Sequence, residues 1–334
     1  MKKLLLLGSL VLFCTLFLLS CKKNSVDEQY TETVPPLTPD LSTPVSAFVG
    51  GFITDENGNA MPDAIIKAGT ITVTSNEYGY FKINNAAFVK DAGFVEVTKS
   101  GYFTGYRTFI PIAGKEHFIR LQLIPKTIIG NINAAPGGTV TTADGATVTL
   151  PANSVVIASS NVTYTGNVHV AVHWLDPSSQ TTQQNMPGDL RGIDSNGHLN
   201  ILTTYGMLAV ELYSDADELL QILPGKKAVI SFPIPASLSG TAPASIPLWY
   251  FNTSNGLWKE DGMATRSGNN YIGEVSHFTF WNCDVPNLLV NFTVQLVDLN
   301  LNPISNTAVR INITGSANSA RTDYTDTSGT VSGM

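Results

Sequence analysis

Apolar and polar residues alternate with a period of two along most of the chain after residue 46. The run 118–123, Phe-Ile-Arg-Leu-Gln-Leu, places an apolar residue at every second position. Because successive side chains of a strand point to opposite faces, this pattern is typical of strands with one buried face. Turns rich in Gly and Asn, such as 55–59 and 76–79, separate the runs. The pattern predicts an all-β fold built from tandem β-sandwich domains.

The spacing of these runs divides the chain into three folded regions. Residues 46–126 hold about seven short strand-like runs, which is enough for a small sandwich. Residues 127–286 form the largest region, with strand-like runs at 168–174 and 207–213. Residues 287–334 form the third region.

The N-terminus follows a different pattern, with Lys2 and Lys3 before an uncharged run over 4–20. This run is shorter than the about 20 residues of a spanning helix and fits a signal peptide over 1–20. Its end, Leu-Leu-Ser-Cys21, resembles the lipobox of bacterial lipoproteins. The resemblance implies that Cys21 carries the lipid and becomes the mature N-terminus. The alternatives are a plain signal peptide with an incidental cysteine, or a membrane anchor.

Residues 21–45 contain several prolines and lack apolar periodicity, so they are interpreted as a Pro-rich tether behind the lipidated cysteine. The lipoprotein resemblance implies that the protein contacts a membrane through its lipid anchor. Lys22, rather than an aspartate, follows the cysteine. By the usual lipoprotein sorting rule this implies delivery to the outer membrane, on its periplasmic or cell-surface face.

A spaced motif in the first region carries a second resemblance. The pattern D-x-x-G…A-x-I, T-x-x-x-x-G-x-F and V-x-V-x-x-x-G-Y is formed by Asp55, Gly58, Ala64, Ile66, Thr74, Gly79, Phe81, Val95, Val97, Gly101 and Tyr102. It resembles carboxypeptidase regulatory-like domains, although Ala60 stands where that family usually has proline. The resemblance implies a seven-stranded, transthyretin-like sandwich of the carbohydrate-binding-like class, without an active site of its own.

Part of this motif returns near the C-terminus. Asp298, Pro303, Thr307 and Val309 repeat the spacing of Asp55, Ala60, Ala64 and Ile66, and residues 326–331 match 76–81 after an insertion of about seven residues. We therefore expect a second, incomplete regulatory-like copy over 287–334, with an unpaired sheet edge. A truncated sequence is the favoured explanation, and completion by a partner's strand is the alternative.

The middle region carries resemblances of its own. Residues 137–155 resemble the start of a ZU5-type β-domain, and 187–190, 202–212 and 224–226 resemble extracellular modules of the cartilage intermediate layer protein and astroprincin families. These resemblances imply a β-domain from non-catalytic matrix or cell-surface proteins.

Composition narrows the function further. The formal net charge is −7 and 13% of residues are charged, about half of the ~25% usual for soluble domains. An acidic chain without a basic cluster indicates that nucleic acid is not a partner. Of the three cysteines, Cys14 lies in the signal and Cys21 in the lipobox, which leaves Cys283 without a disulfide partner. A buried, inert thiol is favoured over a reactive one.

Motifs for catalysis are missing from the sequence, which has no G-x-S-x-G, P-loop, H-E-x-x-H or C-x-x-C pattern. His169 and His173 lie on one alternating strand, about 13 Å apart at ~3.3 Å per residue, too far apart to share an ion. Solvent-facing histidines are favoured there, and a hydrogen-bonded structural role is favoured for His277. We predict no enzyme activity, no cofactor and no metal. The calcium alternative would use Asp189, Asp194, Asn196, Asp215, Asp217 and Glu218.

Aromatic residues of the middle region are the remaining candidates for ligand binding. Alternation places Trp249 and Phe251 on one face of a strand and Tyr250 on the other. Trp258 follows the turn 252–256 and is the ring that this position favours as exposed. The candidate ligand-binding residues are Trp258, Tyr250, Asn252 and Asn255.

Together these features predict a non-catalytic, lipid-anchored protein of the cell envelope. It would act as a binding or adhesion module for glycans or an extracellular protein, with glycans favoured by the fold-level analogy. The alternative is a structural spacer or assembly component that presents a downstream domain. An exposed aromatic cluster would favour the first function, and full burial of the aromatics the second.

Overall fold

The computed structural model describes residues 36–289, 292–305, 307–311, 321–325 and 328–333. It confirms the all-β fold with tandem sandwiches, with a single short helix, α1 (Thr182–Asn185), among the described residues. The strands are β1 (Pro44–Thr54), β2 (Ile65–Ala68), β3 (Ile71–Thr74), β4 (Tyr80–Val89), β5 (Gly93–Thr98), β6 (Gly105–Phe109), β7 (Glu116–Gln122), β8 (Ile128–Asn133), β9 (Gly138–Thr141), β10 (Thr147–Leu150), β11 (Val155–Ile157), β12 (Asn167–Leu175), β13 (Arg191–Ile193), β14 (Leu199–Tyr213), β15 (Leu219–Ile222), β16 (Ala228–Pro233), β17 (Ser245–Asn252), β18 (Leu257–Ser267), β19 (Asn270–Val275), β20 (Phe280–Leu288), β21 (Phe292–Gln295), β22 (Ala308–Ile311), β23 (Arg321–Tyr324) and β24 (Thr330–Gly333).

Strands β1–β7 form the first sandwich from two sheets, in the orders β4-β1-β7 and β3-β2-β5-β6. In the first sheet, β1 pairs antiparallel with β4 and parallel with β7. Alternate residues of both sheets point inward and form one buried cluster, which includes Ile53, Ile66, Phe81, Val97 and Leu121. The other residues of β1, β4 and β7 point outward, so the sheet has one core face and one outer face.

Two turns join the strands of this sandwich through local contacts. Asp55 Oδ1 accepts the N–H groups of Asn57 and Asn59, at 2.9 and 2.8 Å. Gly79 has a φ of +71°, and a Cβ at this position would lie 2.3 Å from the backbone oxygen of Ile53. Only glycine fits there, because a side chain would be both strained and in collision with backbone.

The middle region is one hydrogen-bonded network of thirteen strands, β8–β20. The long strand β14 organises it by pairing with β12, β13, β15 and β20. The interior is a large apolar cluster that includes Val170, Leu208, Leu248, Tyr271 and Trp281.

The outer face of this network is apolar as well and lies against the first sandwich. Ala209, Trp249, Phe251 and Phe280 project away from the interior cluster and pack with residues of the first sandwich, including Phe94, Phe103, Tyr106 and Ile124. Strands β14, β17 and β20 therefore bury both faces. This arrangement places the aromatic residues of the middle region inside the protein.

Residues 36–43 also contact both regions. The N–H of Leu199 donates to the carbonyl of Leu37 at 2.6 Å, and Asp40 N–H donates to Asp91 Oδ2 at 2.6 Å. Leu37 and Leu41 pack on a buried cluster formed by Ala92, Leu199, Leu257 and Leu289. The described end of the predicted tether is thus packed against the body of the protein, while residues 1–35, including Cys21, lie outside the described residues.

The described C-terminal strands pair as β21 with β24 and β22 with β23. Asp298 Oδ1 accepts the N–H groups of Asn300 and Asn302, each at 2.8 Å, in a turn like that of Asp55. Gly329 has a φ of +72°, close to that of Gly79. Residues 326 and 327 of the predicted repeat lie outside the described residues.

The described part of the chain contains no helix that is long and apolar enough to cross a membrane.

Candidate functional site

The prediction that Trp258 is an exposed ring is wrong, because its side chain is completely buried. It packs edge-on against Phe251, with 5.5 Å between ring centroids, in the cluster shared with the first sandwich. The turn before it is also covered: Thr108 of the first sandwich donates to the carbonyl of Gly256. The docked sandwich therefore occupies the space in which a ligand was expected.

The other residues of that predicted site do not form a common surface with Trp258. Tyr250 lies on the opposite face of β17, as the alternation predicted, and packs against His277 and Trp281 at 4.7 and 5.7 Å between ring centroids. Asn252 Oδ1 accepts the N–H of Ser254, and Asn255 Oδ1 accepts the N–H of Leu257. Both amide oxygens hold the turn itself.

The two histidines of β12 differ in their surroundings. His169 lies 2.7 Å from Asn131 Oδ1 and 2.9 Å from Asp215 Oδ1 at the surface. His173 is only partly exposed, and burial lowers its pKa. No group of three or more His, Cys, Asp or Glu residues suited to a metal ion was found among the described residues.

A buried polar cluster lies between β14 and β20. Asn282 and Asp284 are fully buried, and the Thr204 hydroxyl donates to Asn282 Oδ1 at 2.9 Å. Burial raises the pKa of Asp284 well above its ordinary value, and burial likewise raises the pKa of the neighbouring Cys283 thiol. Cys283 is buried as predicted. A ligand has no access to this cluster in the folded protein, so it is a structural feature of the sheet.

The sheet β4-β1-β7 carries a cluster of outward-pointing rings that the sequence reasoning missed. These rings belong to Phe52, Tyr80 and Phe118. The ring centroid of Phe52 lies 5.4 Å from that of Tyr80 and 5.8 Å from that of Phe118. Phe118 is 57% exposed, and Phe52 and Tyr80 are partly exposed. We call these three residues the aromatic face.

Charged groups border the aromatic face. Lys82 Nζ lies 3.1 Å from Glu116 Oε1, and both side chains are nearly half exposed. The Arg120 guanidinium carbon lies 6.0 and 5.9 Å from the ring centroids of Phe52 and Phe118, within the range of cation–π contact. The surface thus combines apolar rings with hydrogen-bond donors and acceptors.

A sequence signal for the aromatic face did exist. Ile119 and Leu121 point into the core of the first sandwich, so period-two alternation puts Phe118 on the outer side of β7. The ligand-binding rings predicted from the sequence, Trp258 and Tyr250, lie instead in the middle region.

A crevice near the junction of the two regions is a second candidate surface. Its volume is about 450 Å³, and it is lined by Asp63, Ile65, Thr98, Lys99, Ser100, Tyr102, Thr104 and Lys126. Lys126 is held by Glu211 and the Tyr213 hydroxyl at 3.0 and 2.8 Å. Its ammonium group already donates to two groups of the protein, which leaves the aromatic face as the stronger candidate.

Comparison with known proteins finds a partial relative. Over 106 residues, 31% of this chain, the sequence is 37% identical to human cartilage intermediate layer protein 2 and 35% identical to its mouse counterpart. The chain spans only 9% of the length of these relatives. No family model matches the chain.

Solved structures show only a loose likeness. A protein of unknown function from Bacteroides fragilis is 10% identical, with 74% of this chain and 99% of that chain covered, at a TM-score of 0.20. A streptococcal ancillary pilin is 6% identical, with 84% of this chain and 58% of that chain covered, at a TM-score of 0.18. The major pilin subunit of Bacillus cereus is 10% identical, with 86% of this chain and 84% of that chain covered, at a TM-score of 0.16.

Proposed function

We propose that this protein is a non-catalytic, lipid-anchored binding module of the cell envelope, and that its aromatic face contacts glycans. The observation that carries the proposal is the cluster of three neighbouring rings on the outer side of one sheet, one of them exposed and two partly exposed. Single exposed apolar residues are common on proteins, whereas clustered apolar surface marks interaction sites.

Glycans suit this surface on chemical grounds. One face of a pyranose consists largely of C–H groups, which pack well against an aromatic ring, while its hydroxyls need hydrogen-bond partners. Lys82, Glu116 and Arg120 border the rings and supply donors and an acceptor.

Glycan binding is tested with the full chain, purified in a mild detergent, on a glycan array. We expect the wild type to bind at least one glycan and Phe118→Ala to weaken that binding at least tenfold with an unchanged melting temperature. Val162→Ala is the matched control, because Val162 is equally exposed, at 57%, but lies in the middle region. Absence of binding by the wild type would contradict the proposal.

The anchor is the second part of the proposal and rests on the sequence around Cys21. More than one acyl chain on the mature N-terminal cysteine would give stable membrane attachment. Cys21→Ala should abolish palmitate labelling and leave the signal peptide attached, and fractionation of the wild type should recover it with the outer membrane. Equal labelling of variant and wild type would exclude the lipobox, and recovery in the inner membrane alone would exclude the sorting.

The alternative function, a structural spacer, is supported by the polar contacts that join the first sandwich to the middle region. Arg107 donates to the backbone carbonyls of Gln183, Gln184 and Gly188, at 3.1, 2.8 and 3.3 Å. Arg191, which is 4% exposed, donates to the carbonyl of Asp91 at 2.6 Å. A protein that binds no glycan but keeps these contacts would be better explained as a spacer or assembly component.

A further inference from the structure

Arg120 differs from the other charged groups that border the aromatic face. Lys82 and Glu116 form an ion pair with each other. The Arg120 side chain is exposed, and its guanidinium carbon lies 6.0 and 5.9 Å from the ring centroids of Phe52 and Phe118. Within the described part of the chain, this guanidinium has no carboxylate oxygen within 4.0 Å and donates no hydrogen bond. Its charge is therefore available to a ligand that lies on the rings.

The register of the sheet places this charge at one end of the aromatic face. Phe52 pairs with Tyr80 on one side and with Arg120 on the other. Phe118 comes two residues before Arg120 on the outer side of β7, and Glu116 comes two residues before Phe118. Glu116 and Arg120 are thus about 13 Å apart along the strand, at ~3.3 Å per residue. At that distance the carboxylate does not form an ion pair with the guanidinium.

A guanidinium group beside two rings suits a particular kind of anion. Its N–H donors form a planar fork, which matches the two oxygens of a carboxylate with two parallel hydrogen bonds. Hydrogen bonds of this kind are about twice as strong as those between neutral groups. A sugar that carries a carboxylate therefore gains more from Arg120 than a neutral sugar, whose hydroxyls offer only uncharged acceptors.

We infer that the aromatic face binds hexuronate units of acidic glycans, an inference that rests on the proposed function. The C–H face of the pyranose packs on Phe118, and its carboxylate, which is bonded directly to the ring, accepts two hydrogen bonds from Arg120. The ion pair of Lys82 and Glu116 has no net charge and serves the hydroxyls of an adjoining sugar unit. Arg120 thus determines the preference for an acidic sugar over a neutral one.

The short separation between the guanidinium and the rings favours a hexuronate over other anions. Because the guanidinium carbon lies within about 6 Å of two ring centroids, the ligand needs its anionic group close to an apolar ring face. A hexuronate has one bond between the two. A sulfate ester carries its charge one atom further from the sugar ring, and a simple inorganic anion offers the aromatic rings no apolar surface.

The test uses the full chain in mild detergent and titration calorimetry with oligogalacturonate and oligomannuronate. The methyl ester of each oligomer is the matched ligand control, because it keeps the sugar ring but lacks the charge. We expect at least one acidic oligomer to bind about tenfold or more tightly than its methyl ester. Arg120→Gln should abolish this preference, and Arg120→Lys, which keeps the charge but not the planar fork, should retain part of it.

A second charge variant and salt separate a local contact from general attraction. Lys259→Gln also removes one exposed positive charge, but it does so in the middle region, and it should leave the affinity unchanged. Exposed charge pairs are screened by salt, so binding of the acidic oligomer to the wild type should weaken between about 0.05 M and about 0.5 M salt. Binding to Arg120→Gln should be much less sensitive to salt. An equal loss in Lys259→Gln would overturn the assignment to Arg120.

The remaining outcomes distinguish this inference from the proposed function. If the wild type binds methyl esters or neutral glycans as tightly as acidic ones, or if Arg120→Gln changes no affinity, the hexuronate site is overturned and the broader glycan proposal stands. Tighter binding of a sulfated galactan, or of anionic phospholipid vesicles, than of either oligohexuronate also overturns the site. A wild type that binds no glycan overturns both.

Discussion

The first sandwich and the C-terminal strands share a set of turn and buried-hydroxyl hydrogen bonds, which we call the shared frame, but they present different outer surfaces. Ile53 and Leu296 each donate an N–H to the carbonyl of a positive-φ glycine, Gly79 or Gly329, at 2.9 and 2.8 Å. Ser75 Oγ donates to Met61 O at 2.7 Å, and Thr325 Oγ1 donates to Ile304 O at the same distance. The turns and buried hydroxyls are thus matched contact for contact.

The outward positions differ. In the first sandwich Phe52 pairs with Tyr80, whereas the matching pair in the C-terminal strands is Gln295 with Thr330. Thr293 takes the register position of Gly50. The shared frame therefore does not require aromatic residues or a glycine on this face. Their presence in the first copy alone is consistent with a role in binding.

The largest effect should come from the positive-φ glycines. Gly79→Val should cost about 3 kcal/mol or more, because the side chain combines backbone strain with a Cβ 2.3 Å from the Ile53 oxygen. Urea unfolding measures this cost. Gly58→Val is the control: Gly58 also has a positive φ but has no atom within 4 Å of its Cβ position, so only the strain remains.

The matching change, Gly329→Val, tests whether the two copies share the frame. A Cβ there would lie 2.4 Å from the Leu296 oxygen. The expected result is faster amide hydrogen exchange at Leu296 and Ile304, whose N–H bonds flank this glycine. Unchanged exchange at both amides would mean that the C-terminal strands tolerate a valine at this position although the first sandwich does not.

The buried hydroxyls should have the next largest effect. Ser75 is 3% exposed, donates to Met61 O and accepts the N–H of Ala64 at 2.9 Å. Ser75→Ala leaves both backbone groups without this partner and should cost about 1–3 kcal/mol. The parallel change, Thr325→Val, should raise the exchange rate of the Thr307 amide, which bonds to Thr325 Oγ1 at 3.0 Å. A melting temperature equal to wild type for Ser75→Ala would contradict the comparison.

The turn carboxylates should have a smaller effect that depends on pH. Hydrogen bonds from Asn59 lower the pKa of Asp55 below 3.8, and those from Asn302 lower the pKa of Asp298 in the same way. A depressed folded-state pKa stabilises the protein above pH 3.8, and the contribution is lost as pH falls through the folded-state value. Asp55→Asn should therefore lose less stability than wild type between pH 5 and pH 2.5. Stability measured by urea unfolding at each pH would refute this if the variant and the wild type lost the same amount over this range.

The smallest effect concerns the position at which the turns differ. Leu301 has a φ of +66° and is 78% exposed, where the first copy has Gly58 at +79°. Leu301→Gly removes the strain of a left-handed leucine but makes the unfolded chain more flexible, so the net gain should be below about 1 kcal/mol. Slower amide hydrogen exchange at position 301 is the expected result, and faster exchange there would show that the leucine is not strained.

The turns and strands were predictable because their causes are local. The spacing of Asp55, Gly58 and Gly79 follows from hydrogen bonds within a few residues and from positive φ, so it can be read from the sequence. The same spacing at Asp298 and Gly329 predicted turn contacts that recur in the C-terminal strands. Alternation also placed Trp249 and Tyr250 on opposite faces of β17 correctly.

The burial of Trp258 and the position of the candidate site were decided by tertiary structure. Alternation says that two residues lie on opposite faces, but it does not say what covers each face. Phe103 and Tyr106 of the first sandwich cover the outer side of the middle region, more than 100 residues away in sequence, and remove Trp258 from solvent. The outer side of β4-β1-β7 has no such cover among the described residues, so Phe118 stays exposed. Local sequence determined the strands and turns, whereas the packing of distant regions determined which apolar face is core and which is surface.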